Sequence, residues 1–199
     1  MRQVHGAVVS RVAPRGGGPG ATDRGTDMDG QDGRSVPRSP HADAVFTESP
    51  QAALGALVAD CAPVLLADPV ARLVGAAHAG RAGMVAGVVP ALLAAMTQAG
   101  AEPRRTSAVI GPAICGLCYE VPAAMRADAA AAVPESACLT RKDTPGVDLR
   151  AGLRAQLEAL EVAAIADDPR CTAESAELFS YRRDGITGRF AGLIWLTEG

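Results

Sequence analysis

Leu54-Gly-Ala-Leu-Val-Ala-Asp60-Cys61-Ala-Pro63-Val-Leu-Leu-Ala67-Asp68-Pro69-Val-Ala-Arg72-Leu73-Val-Gly-Ala-Ala77-His78-Ala79-Gly80 is the stretch on which the fold turns. Three apolar runs, Leu54 to Ala59, Pro63 to Ala67 and Leu73 to Ala77, are stopped by Asp60-Cys61, Asp68-Pro69 and His78-Ala79-Gly80. Continuous Val/Leu/Ala runs of this length, cut by polar or turn residues, predict strands buried on both faces. Downstream, Val85, Val88, Val89, Leu92, Leu93 and Met96 recur at helical spacing, predicting a helix from Met84 to Ala99 that packs on the sheet and stops at Gly100. Thr106 to Ile110 reads as a strand ending in Gly111-Pro112, and Pro122 to Val133 as a helix with proline at its start. Asp148 caps a second long helix through Leu160. Phe179 to Arg182 and Arg189 to Leu196 flank Asp184-Gly185-Ile186-Thr187-Gly188 and predict a hairpin with a five-residue loop. Upstream lies a short first strand, Val4 to Val12. Strands alternating with helices put the chain in the α/β (α+β) class with a mixed sheet.

Between the first strand and this body, Ala13 to Pro40 holds seven glycines and four prolines in 28 residues. Its only large apolar side chains are Met28 and Val36, too few to offset the entropy of ordering, so residues 13–40 are expected to form a flexible insertion loop within one domain. The whole chain has 199 residues, 48 % of them hydrophobic and 21 % charged, with a net charge of −3. That balance excludes an intrinsically disordered chain. Nineteen basic residues against 22 acidic ones, without a dense basic stripe, exclude a nucleic-acid footprint. Aromatics at 3 % leave no stacking platform for exposed bases. No apolar run approaches the ~20 residues of a membrane span, and no apolar stretch follows Arg2 as a secretory signal would require. A cytoplasmic location is expected, with the five cysteines reduced.

Three ligand-capable side chains sit where strands give way to turns beside small residues: His5 in Gln3-Val4-His5-Gly6, Cys61 in Asp60-Cys61-Ala62-Pro63, and His78 in Ala77-His78-Ala79-Gly80. Two imidazoles and a thiolate make a tetrahedral zinc set with a fourth position open to water or substrate. The same residues also read as isolated strand ends, or as a Cys61 nucleophile with His78 as its base. Cys115-Gly116-Leu117-Cys118 is a C-x-x-C, but a zinc ribbon needs a second pair and Cys138 and Cys171 stand alone, so core or pocket wall is the expected role. In Ser180-Tyr181-Arg182-Arg183-Asp184-Gly185 a phenol and two cations could meet a phosphate, although a solvated turn with an Arg183–Asp184 pair is the blander reading. No phosphate-cradling glycine loop of the nucleotide folds is present.

Taken together these segments resemble one family. Gln3-Val4-His5-Gly6, Ala59-Asp60-Cys61-Ala62-Pro63-Val64-Leu65-Leu66, Ala76-Ala77-His78-Ala79-Gly80, Ile110-Gly111-Pro112 with Cys118-Tyr119-Glu120-Val121, and Phe179-Ser180-Tyr181-Arg182-Arg183-Asp184-Gly185 follow the order and spacing of its motifs. It is the YfiH/YlmD family, also described as the multicopper polyphenol oxidoreductase (laccase) domain, as purine nucleoside phosphorylases and as the peptidoglycan editing factor. The resemblance covers nearly the whole chain outside residues 13–40. It implies a layered α/β sandwich like the catalytic domain of cytotoxic necrotizing factor, and a zinc site at His5, Cys61 and His78. It further implies phosphorolysis of adenosine, inosine, guanosine and S-methyl-5'-thioadenosine, with deamination of adenosine. Purine nucleosides and phosphate are then the partners; separately, the chain is expected to be a monomer.

Two departures stand out. Many members continue the second histidine motif as Gly-Trp-Arg-Gly, where this chain has Gly80-Arg81-Ala82-Gly83. The family also has a preceding N-terminal portion with strands and an arginine near the pocket. An N-terminally shortened chain is therefore expected, with Met1 a misplaced start; a truly truncated form would expose a sheet edge and be poorly soluble.

Within the resemblance, the metal lowers the pKa of a bound water toward ~7 for deamination. For phosphorolysis, an arginine, Arg182 or Arg183, orients phosphate against the ribose anomeric carbon beside Tyr181. Asp60 and Glu120 are candidate proton handlers, with strand-end hydrogen bonding as the alternative. The competing readings are a Cys61–His78 hydrolase acting on a peptidoglycan precursor, a copper-dependent polyphenol oxidase, and a non-catalytic metal-binding remnant. Three histidines are few for several copper centres.

Overall fold

The computed structural model describes residues 6–13 and 41–197. His5 and all but Ala13 of the glycine-rich insertion lie outside them. The three apolar runs are strands: β3 (Leu54–Val58), β4 (Ala62–Asp68) and β5 (Leu73–Ala79). With β1 (Val9–Arg11), β2 (Ala44–Thr47), β6 (Ser107–Ile110) and β9 (Ala164–Asp167), two of these build a six-stranded sheet in the order β1-β2-β5-β4-β6-β9. The sheet is mixed: β1–β2 and β6–β9 pair parallel, and the three central pairs antiparallel. β3 leaves it and pairs with β10 (Phe190–Ile194), while β7 (Ala137–Leu139) pairs with β8 (Pro145–Val147).

Both faces of the central strands are covered, which is why β5 reads as an unbroken apolar run. One face packs under the helices α1 (Arg81–Val85), α2 (Val88–Gln98) and α4 (Leu149–Ala159), while α3 (Ala123–Ala132) packs on α1 and the β7–β8 pair. There Val64, Leu66, Leu73 and Ala77 meet Leu92, Leu93, Met96, Leu153 and Leu157 in the main core. The other face packs under β3 and β10 through a smaller core of Ala42, Val45, Leu54, Val74 and Ala76. The result is three layers, helices over sheet over a two-stranded ribbon.

The predicted Met84–Ala99 helix is two helices. Gly87 sits at φ 76°, ψ 40°, a left-handed conformation that ends α1 and starts α2 at an angle. Asp148 caps α4 as its position suggested, accepting from the Ala151 N–H at 3.0 Å. The hairpin predicted around residues 184–188 does not form. Ser180 instead caps a one-turn helix, α5 (Tyr181–Asp184), by accepting from the Arg183 N–H. β10 takes all five of its partners from β3, where a long apolar strand offers a better face than the polar 179–182 segment. β2, β7, β8 and β9, three or four residues each, have no sequence period long enough to announce them.

Candidate active site

Strand register brings two of the sequence-predicted ligands together. Ala62 pairs with Ala79 and Pro63 with His78, so Cys61 stands opposite Gly80 at the same end of the sheet. Gly80 has φ −86° and ψ −178°, extended backbone open to any residue. Its role is to leave space: a Cβ there would lie 2.6 Å from Cys61 Sγ and 3.9 Å from His78 Nε2. The thiol and the imidazole nitrogen thus border the same small volume. His78 Nδ1 lies 3.0 Å from the Leu57 carbonyl, which can only accept, so Nδ1 is the donor of that bond and Nε2 is the ring nitrogen on the Gly80 side. His5 immediately precedes Gly6, whose N–H donates to the buried Asp43 carboxylate at 2.8 Å. Asp43 is next to the site through the main chain as well, its carbonyl accepting from the His78 N–H at 2.8 Å.

Filling the Gly80 space should therefore show in the site and not in the fold. If this volume takes a metal ion, Gly80→Ala is expected to displace the Cys61 thiol and cut metal retention about tenfold or more, with a melting temperature near that of the parent. Metal quantification alongside thermal melting checks this; unchanged metal content would show that the volume over Gly80 is not the ion's place.

Cys61 and His78 open onto a cavity of about 420 Å³ walled by Asp60, Arg81, Tyr119, Tyr181, Arg182 and Arg189, among others. Three guanidinium groups and two phenols thus face one space beside the thiol and the imidazole. Arg182 lies over the Tyr119 ring, 5.0 Å from its centroid. Burial pushes the Cys61 thiol up to about 11; the Asp60 carboxylate adds to the rise and Arg189 opposes it. Burial also raises the Tyr119 phenol, with Cys61 adding to the rise and Arg81 and Arg182 working against it.

The other sequence-predicted residues divide. Asp60 lines the cavity, but both its oxygens are engaged: Oδ1 accepts from Thr172 Oγ1 and Oδ2 from the Arg182 N–H, each at 2.6 Å. It reaches this arrangement at φ 81°, a left-handed conformation for a non-glycine residue. Its geometry is that of a positioning residue, tying α5 to the end of β3. Tyr181 and Arg182 face the cavity. Arg183 does not: it donates to the carbonyls of Thr172, Ser175 and Leu178 and to the Asp184 carboxylate. Glu120 is exposed and outside the cavity wall, its carbonyl accepting from Arg182 Nη1 at 2.7 Å. Arg81, Tyr119 and Arg189 belong to the wall and were not singled out as site residues from sequence. Arg81 stands one place from the cation expected in the second histidine motif, and that offset still leaves it on the cavity. The expectation that Cys171 stands alone fails. The fold brings it to Cys115 and Cys118, and with Glu174 they form a cluster that could hold a metal ion.

Residues 1–197 match a family described as multi-copper polyphenol oxidoreductase laccase. Over 197 residues the chain is 52 % identical to a purine nucleoside phosphorylase of Streptomyces coelicolor, covering 98 % of this chain and 74 % of that protein. It is 46 % identical over 196 residues to a purine nucleoside phosphorylase of Mycobacterium bovis, covering 98 % of this chain and 71 % of the relative. Among solved structures, YlmD from Geobacillus stearothermophilus superposes with a TM-score of 0.80 at 31 % identity, covering 98 % of this chain and 72 % of that one.

Proposed function

As this chain belongs to the multi-copper polyphenol oxidoreductase laccase family, we propose that it is a purine nucleoside phosphorylase acting on adenosine, inosine, guanosine and S-methyl-5'-thioadenosine. In this reading it works as a monomeric single domain, and the Cys61–His78 site carries zinc and also deaminates adenosine. The observation that carries it is the cavity wall: three arginines, two tyrosines, a thiol and an imidazole around one space. A phosphate dianion asks for clustered guanidinium donors, and a planar base for phenol faces.

A cation fits the residues present. The Gly80 space lies against Cys61 Sγ and near His78 Nε2, a thiol and an imidazole that both suit zinc. Cys61 and His78 would hold it, with His5 as the third ligand. When bound, it would supply Lewis-acid polarisation at the cavity floor. Arg81, Arg182 and Arg189 would draw phosphate in and orient one oxygen toward the anomeric carbon. That oxygen bonds to the ribose as the N-glycosidic bond breaks, releasing the free base and ribose 1-phosphate. Tyr119 and Tyr181 would hold the base, and Asp60 would keep Arg182 in place through its backbone N–H. A Cys61–His78 hydrolase fits less well, because burial keeps the thiol protonated at neutral pH and a nucleophile needs the thiolate. A site of several coppers fits less well too, with three histidines in the whole chain.

The test is a product assay on the full chain. Free base should form from inosine only when phosphate is added, and inosine from adenosine without it; no phosphate-dependent base release would overturn the phosphorylase reading. Arg81→Gln is expected to raise KM for phosphate about tenfold or more with a smaller change in KM for the nucleoside, since each charge-assisted contact contributes roughly 1.5–3 kcal/mol. Equal effects on both constants would remove Arg81 from the phosphate subsite.

A further inference from the structure

The cluster at the far side of Tyr119 has no part in the chemistry above. Cys115 and Cys118 lie on one tight turn, closed by the Cys118 and Tyr119 N–H groups donating to the Cys115 carbonyl at 3.0 Å each. Cys171 and Glu174 lie on another, closed by the Glu174 and Ser175 N–H groups donating to the Cys171 carbonyl at 3.2 and 2.9 Å. Each turn presents donors at i and i+3 on one side. A parallel bridge between Ala113 and Cys171 sets the two turns against each other. The three sulfurs and one carboxylate oxygen all lie within 4.8 Å of one another. A tetrahedral zinc with Zn–S of about 2.3 Å places its ligands about 3.8 Å apart, so a small contraction closes the shell.

We infer that Cys115, Cys118, Cys171 and Glu174 form a second metal centre, a closed four-ligand zinc site that is structural. Three thiolates select zinc over hard cations, and the absence of an open position separates it from a catalytic site. Its surroundings suit the charge. Three thiolates and a carboxylate outweigh a divalent cation, and the Arg141 guanidinium pairs with Glu174 and lies 3.9 Å from Cys118 Sγ. The Cys115 N–H points at Cys171 Sγ at 3.3 Å, the kind of backbone donor that supports a metal-bound thiolate. Cys138, though near, is turned to the Gly116 carbonyl and is no ligand.

The site acts on the cavity at one remove. Tyr119, on the wall, follows one ligand in sequence, and Thr172, which donates to Asp60, follows another. The zinc clamps the two loops that carry these residues.

The experiment separates this centre from the cavity site by removing the latter. Full-length Cys61→Ala protein, purified with zinc under reducing conditions, should retain one equivalent of zinc, and Cys61→Ala/Cys118→Ser should lose it. Cobalt(II) exchanged into Cys61→Ala should give the intense sulfur-to-metal charge-transfer band and tetrahedral d–d bands of a multi-thiolate site, which the cavity, stripped of its thiol, cannot produce. A Cys61→Ala protein that holds no zinc, or whose cobalt form shows a weak octahedral spectrum, overturns the inference. The cobalt spectrum needs no substitution in the cluster, so the result stands even if the double variant fails to fold. Loss of phosphorolysis in Cys61→Ala bears on the cavity alone.

Discussion

Cys61→Ala is expected to leave the chain folded and, on the proposed reading, to abolish phosphorolysis and deamination together, with turnover down roughly a thousandfold or more, on the scale of removing a metal-held electrostatic site. Cys61 immediately precedes β4, opposite Gly80, with its thiol against the volume that His78 Nε2 also borders. Removing one sulfur from this half-buried position leaves a small void and costs about 1 kcal/mol of stability, far less than a fold of this kind can spare. Metal content should fall by one equivalent, while the Cys115–Cys118–Cys171–Glu174 cluster keeps its own. In the metal-free parent, the Cys61 thiol should ionise near pH 11, measured as the difference in thiolate ultraviolet absorbance between parent and Cys61→Ala. Because the folded value lies above the ordinary one near 9, this group favours the folded chain below pH 9 and loses that contribution as pH rises through 11. A Cys61→Ala protein that still cleaves inosine with phosphate would move the chemistry elsewhere in the cavity.

Asp68→Ala is the substitution with the largest expected cost in stability, about 3 kcal/mol, which lowers the melting temperature by roughly 10 °C for a chain of this length. The Asp68 side chain is fully buried at the end of β4. Its Oδ1 accepts from the Val70 and Ala71 N–H groups at 2.9 and 3.0 Å, and its Oδ2 from the Glu102 N–H at 2.8 Å and from Arg105. Alanine removes the acceptor of three backbone N–H groups, whereas Arg105, partly exposed, can turn to solvent. Burial raises the Asp68 carboxyl, but the Ala71, Glu102 and Val70 N–H groups with Arg105 outweigh it, and the net value lies below the ordinary 3.8. The folded chain therefore binds fewer protons here than the unfolded chain does. The stabilisation is complete above about pH 4 and is lost as pH falls through the lowered folded value. Melting of parent and Asp68→Asn from pH 7 to pH 3 should show the gap closing at the acid end. A gap that stays constant would mean that the carboxylate's charge contributes nothing.

Much of the body was legible because burial on both faces imposes continuous apolar runs. The segments Leu54 to Ala59, Pro63 to Ala67 and Leu73 to Ala77 became strands within two residues of their expected ends. The Asp148 cap was equally legible, since a short carboxylate before a helical period has one preferred use. The 179–196 segment misled because turn residues between two apolar stretches look alike whether the strands pair with each other or with a third strand. Gly87 could be seen in the sequence, but its left-handed backbone could not.

Local chemistry, written into residue type and spacing, carried the strands, the capped helix and the mixed-sheet class, because each depends on neighbours a few positions away. Long-range placement is another matter. That Arg81, Arg182 and Arg189 share a cavity follows from how α1, α5 and β10 pack. That Arg183 serves carbonyls instead, and that Cys171 and Glu174 reach a C-x-x-C more than fifty positions away, follow from β10 choosing β3 and from the bridge at Ala113. Such pairings are settled by closing long loops over a shared core, an energy summed over the whole chain and recorded in no single segment of it.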